Sequence, residues 1–156
     1  MKKKILKKLW ILAIVSSIIA TYPVSAASLL EDVGITETDA DFAENTNYSL
    51  LRGNNLNYGN AKISKLTSNE INVFGLTQCH HECDKVFLQL SLEQKNNGSY
   101  STYKYWEFTA DNVTHLYKSI NVIVPTGHYY RVRGYHAAKD GAKESTTTLT
   151  DGILVK

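Results

Sequence analysis

Residues 79–83 read Cys-His-His-Glu-Cys, which puts two thiols, two imidazoles and a carboxylate in five consecutive positions. Three chemistries use such a set. Zinc wants thiolates and imidazoles, and Cys-x3-Cys resembles half of a zinc pattern. The second ligand pair is missing, because His115, His128 and His136 stand alone in the chain. A metal site would therefore use Cys79, His80, His81 and Cys83 themselves, or Cys79, His80 and Cys83 with one distant His. Thiol catalysis needs a thiolate beside a base and a third group to orient that base. Neighbouring side chains on an extended strand point apart, so five adjacent residues assemble such a group poorly. The sequence holds no GxSxG or HExxH signature. The third chemistry is a disulfide. With two cysteines in the whole chain, Cys79–Cys83 is the simplest expectation if the protein is exported. So small a loop is worth about 2 kcal/mol in chain entropy, less any strain. The sequence reading is thus of a non-enzyme without cofactor, with metal or thiol chemistry at Cys79–Cys83 as the alternative.

Export is what the first residues predict. MKKKILKK is followed by an apolar run from Leu9 to Ala20 and by Val24-Ser25-Ala26. A basic start, a short apolar stretch and small residues before a cut make a secretory signal peptide over 1–26. The run is shorter than the roughly 20 residues that span a bilayer. Cleavage would leave 130 residues with 12 basic and 15 acidic side chains, a formal net charge of −3. That balance argues against a nucleic-acid partner, which wants a basic stripe. After cleavage nothing in the sequence predicts membrane attachment, and the expected location is extracellular, at the cell surface or in the wall.

The elements that must carry any site are strands. Residues 27–47 hold six acidic side chains and no Lys or Arg, and read as a flexible acidic arm. Residues 48–156 read as one domain of short β-rich segments. They are expected at 56–66, 71–77, 85–93, 100–109, 116–124 and 128–136, with a Thr-rich seventh ending near Val155. In 85–93 strict alternation sets Val86, Leu88, Leu90 and Leu92 on one face. Asn96-Asn97-Gly98 signals a tight hairpin. Residues 110–118 are helix-like but short, and fit a turn or crossover. Seven strands about ten residues apart predict an all-β, seven-stranded antiparallel β-sandwich.

The stretches LNYGNAKI, CDKVFLQLSLEQ, YKYWEFTAD, PTGHYYRVRGYH and KESTTTLTDGI resemble a family of small secreted Gram-positive proteins known only as a domain of unknown function. The resemblance implies secretion and a β-rich fold, and it implies no activity. GHYYRVRGYH is also similar to the sixth strand of fibronectin type III domains. That likeness implies an immunoglobulin-like sandwich in which Tyr130 is the corner tyrosine whose hydroxyl bonds to backbone upstream.

Alternation within 128–136 puts Tyr130, Val132, Gly134 and His136 on one side and Tyr129, Arg131, Arg133 and Tyr135 on the other. Two arginines are expected on a wet face. If 85–93 and 100–109 lie beside them, Phe87, Tyr103 and Tyr105 join the same surface. Tyr and Arg are enriched where proteins bind partners, so this is the expected binding face, for cell-wall glycan or an extracellular protein. An antibacterial effector or inhibitor that carries the acidic arm as a pro-segment is the other non-enzymatic expectation.

Overall fold

The computed structural model describes residues 36–49 and 53–156, and every regular element in them is a strand. In chain order these are β1 (Glu37–Thr38), β2 (Phe42–Tyr48), β3 (Leu56–Lys65), β4 (Glu70–Asn96), β5 (Ser99–Ile123), β6 (His128–Asp140), β7 (Ala142–Leu149) and β8 (Gly152–Val155). The expected signal peptide lies outside the described residues.

Two strands dominate. β4 runs 27 residues and β5 runs 25, joined at Asn97-Gly98 with φ of 51° and 85°, the left-handed pair that a two-residue hairpin needs. An unbent strand would carry Thr77 and Phe87 about 33 Å apart. Instead the Thr77 hydroxyl donates to the Phe87 carbonyl at 2.9 Å. β4 has folded back on itself between them. The bend falls at 79–82, where five steps along β4 (Gln78 to Cys83) face two along β5 (His115 to Val113). The surplus residues form a bulge that turns both strands together.

The bend makes two layers from one continuous hairpin. Layer A is β2, β3, the first half of β4 and the second half of β5. Layer B is the first half of β5, the second half of β4, then β6 with β7 and β8. β1 closes the far side of layer B by pairing with β8, the one parallel pair among the described strands.

The core lies between the layers. Ile63, Ile71 and Val73 from layer A meet Val86, Leu88, Leu90, Leu92, Tyr130 and Val132 from layer B, all fully buried. The alternation read in 85–93 is the pattern observed. Each such Leu contributes roughly 1.5–3 kcal/mol by leaving water. Close approach is enforced at Gly59, where a Cβ would meet the His136 ring at 2.3 Å.

Several sequence expectations are corrected. The class is all-β and sandwich-like, but the described residues form eight strands, and four of the expected segments fuse in pairs into β4 and β5. The helix-like 110–118 is extended, as part of β5. The acidic arm read over 27–47 is in part structural: Phe42–Tyr48 pairs with β3 through Ser64 to Tyr58. Ala43 is buried there, and Asn45 and Asn47 hydrogen-bond the β7 backbone at Leu149 and Thr147. Glu44, the acid of this strand, is exposed beside buried Ala43, so a segment read as acidic still supplies an inner face. Of the arm, residues 27–35 lie outside the described residues.

Candidate functional site

The bend at 79–83 sorts its side chains by depth. Cys79 and Cys83, four positions apart, both turn inward and are buried; His80, His81 and Glu82 are exposed. The thiols are free. The predicted disulfide is therefore absent from this structure; Cys83 Sγ instead donates towards the carbonyls of Asn55 at 3.9 Å and His81 at 3.6 Å. Burial pushes the Cys79 thiol up to about 12, helped by its neighbour Cys83. Burial also raises Cys83. These are protonated thiols, not nucleophiles.

The metal alternative also fails on depth. Cys79 and Cys83 point into the core while His80 and His81 point out, so the four donors never converge. Among the described residues no group of three or more His, Cys, Asp or Glu side chains is placed to hold a metal ion. His81 Nε2 instead meets Asp140 Oδ2 at 3.0 Å on the surface.

What surrounds the bend is a latch. The Glu144 carboxylate, buried on β7, accepts the backbone N–H groups of Asn54, Asn55 and Leu56 at 3.1, 3.1 and 2.8 Å. The Asn55 amide donates to the carbonyls of Asp140 and Ala142, and its own carbonyl takes the His80 N–H. The start of β3 is thereby tied to β7 and to the bend.

His136 is equally structural. It is fully buried between the layers, with Nδ1 3.2 Å from Thr77 Oγ1 and Nε2 2.9 Å from Thr148 Oγ1. The Thr77 proton is used on Phe87, so Nδ1–H is the donor and Thr148 donates to Nε2. Burial lowers the His136 pKa to about 4. Tyr130, also fully buried, donates its hydroxyl to the Pro125 carbonyl at 2.8 Å and accepts from Gln94 Nε2.

The outward face of layer B brings together most of the Tyr/Arg set. Gln89 pairs with Tyr135, Ser91 with Arg133 and Tyr105, and Glu93 with Arg131. The face differs from the expected one in three ways. Arg131 is buried rather than wet, with Nε 2.6 Å from Glu93 Oε2 and its guanidinium 4.0 Å over the Tyr100 ring. Arg133 Nε takes the other oxygen of Glu93 at 2.8 Å. Tyr103 leaves the face: a bulge between Leu92 and Glu93 shifts the phase of β5, and its ring packs edge-on against Tyr130 at 6.0 Å. Sequence reasoning missed Tyr100, Lys95 and Lys143. Lys95 lies near the Tyr100 and Tyr129 rings and pairs with Glu37 on β1; Lys143 sits 4.4 Å over Phe87 and 5.4 Å over Tyr135. Glu93 is the acid that lets Arg131 be buried, a cross-strand pairing that alternation alone does not reveal.

Comparison with known proteins adds little chemistry. A model described as a family of unknown function, DUF6147, matches residues 26–153. No curated protein matches. Among solved structures, the sporulation control protein Spo0M of Bacillus subtilis is 12% identical, with a TM-score of 0.37 over 73% of this chain and 49% of that one. The chain thus spans about half the length of that protein. Chicken MD-1, solved with lipid IVa, is 13% identical with a TM-score of 0.28, over 70% of this chain and 98% of that one.

Proposed function

Since this chain belongs to DUF6147, a family of unknown function, its activity has to be argued from its geometry, and we propose a secreted, non-catalytic binding module. The partner is a cell-wall component or protein surface that offers carboxylates, taken by the outward face of layer B. What carries the reading is the stacking of a cation on rings of that face, Lys143 over Phe87 and Tyr135, whereas Lys95 near Tyr100 and Tyr129 is already paired with Glu37. A carboxylate that meets such a cation exchanges little water and keeps the ring contact, so binding needs no rearrangement. The non-catalytic half of the reading is supported by the protonated thiols at the bend and by His136, sealed between two hydroxyls.

The test is sedimentation of the secreted protein with purified Gram-positive cell walls, native or with their carboxylates amidated. Native walls are expected to retain the protein, amidated walls to release it, and Lys143→Ala with Tyr135→Ala to weaken retention about tenfold. Equal retention by both wall preparations, or by the double variant, would sink the proposal.

A further inference from the structure

The opposite face of the molecule, the outward side of layer A, is unlike the one just described. Its register sets Tyr48 beside Tyr58, Tyr58 beside Gln78, and Leu76 beside Tyr117. The Tyr48 and Tyr58 rings lie 5.8 Å apart at 56°, and His115 stacks on Tyr117 at 6.0 Å and 13°. Tyr48 is 67% exposed and Tyr117 58%. At Tyr48 lies an open depression of about 470 Å³, lined by Tyr58, Asn60, Phe74 and Leu76 and by Glu44 and Thr46. A second, of about 440 Å³, follows at His115 and Tyr117. Four strands about 4.8 Å apart give a platform roughly 14 Å across.

Three observations say what would lie on it. First, charge: Glu44 at the first depression is paired with Lys62 at 3.9 Å, and Lys118 at the second is drawn 5.1 Å over the Phe108 ring, so a charged ligand finds few counter-ions here. Second, polar groups: Asn72 donates to Ser119 and Asn121, and Asn60 to Glu44 and Thr46, so amides and hydroxyls are spread among the rings. A purely apolar ligand would strip water from these groups at about 1–3 kcal/mol each without replacing it. Third, access: among the described residues β2 has no strand partner but β3 and β5 none but β4, so both borders of layer A are open on the outward side, while Asn45 and Asn47 of β2 reach β7 on the other. A long molecule can enter over one edge and leave over the other.

We infer that the outward face of layer A is a binding platform for an uncharged polysaccharide. Such a polymer presents C–H faces to the rings and hydroxyls to the amides. This inference stands apart from the carboxylate reading of layer B, and each can fail without the other.

The test is native electrophoresis of the secreted protein through gels that contain hydroxyethyl cellulose, soluble 1,3-β-glucan, xylan or glycol chitin. Retardation by at least one is expected, unchanged between about 0.05 and 0.5 M NaCl because no charge is exchanged. Tyr58→Ala and Tyr117→Ala should each weaken it about tenfold or more, and Lys143→Ala should leave it unchanged. Tyr117 is exposed, so its variant serves even if Tyr58→Ala fails to fold. Free migration in all four gels would overturn the inference. So would retardation that survives Tyr117→Ala or disappears with Lys143→Ala.

Discussion

The two outward faces of this sandwich solve the same problem differently. The face of layer B is built from charges that hold one another: Glu93 grips two arginines, Arg131 lies under Tyr100, and lysines cap the remaining rings. The face of layer A is built from rings and amides, with one loose ion pair at 3.9 Å whose members are 38% and 43% exposed. The difference follows from desolvation. A buried guanidinium must be matched by an acid or its cost is several kcal/mol, so layer B's charges are locked into fixed partners. Amides and hydroxyls at a surface cost little, so layer A's groups are held only loosely and can trade neighbours. One face is stable because it is paired; the other is open because it need not be.

The sharpest way to break this comparison is Glu93→Ala. It leaves Arg131 buried without its acid, and urea denaturation should show a loss of about 3–5 kcal/mol. A loss no larger than that of Glu44→Ala would erase the distinction between locked and loose charge. Next in size is acid, which acts on neither face but on the seam between them. The folded pKa of His136, about 4, lies below the ordinary value of 6.5, so the unfolded chain binds the extra proton. Stability from this group is full above about pH 6.5 and is lost as pH falls through the window towards 4, on the order of 3 kcal/mol. His136→Gln should flatten that profile, as read by denaturation at neutral and acidic pH. Lys143→Ala removes a cation from two half-buried rings and should cost about 0.5–1 kcal/mol. Smallest is Glu44→Ala, within about 0.5 kcal/mol in a chemical melt, because an exposed pair is screened.

The sequence carried layer B better than layer A, for a physical reason. Alternation exposes a face when one side of a strand is strongly apolar, as in Val86, Leu88, Leu90 and Leu92. It therefore assigned Gln89, Arg133 and Tyr135 outward, beside one another. It could not show that Arg131 sinks, because burial of a charge depends on the cross-strand partner Glu93. It misplaced Tyr103, because one extra residue in a bulge reverses the phase of all that follows. The bend was invisible for a related reason. Cys-His-His-Glu-Cys looks like a chemical motif, yet its spacing serves to turn two inward residues around three outward ones. Layer A's platform was missed because its border strand, Phe42–Tyr48, lies in a stretch whose six acids read as a flexible arm. Alternation within that segment, with Ala43 between Phe42 and Glu44, was the signal available.

The long hairpin has a consequence for how the molecule forms and opens. Each of its two strands belongs to both layers, so neither layer can unravel while the other keeps its full complement of hydrogen bonds. Amide protons on either side of the bend, at Val73 and Leu90 for example, should exchange with solvent at a common slow rate set by global opening. Separate rates for the two halves would show that the bend is a joint between independent units. Assembly should start where chain separation is least, at Asn97-Gly98, and zip outward through the bend. The parallel contact between β1 and β8 spans the greatest stretch of sequence and would close last, as the clasp of a structure already folded.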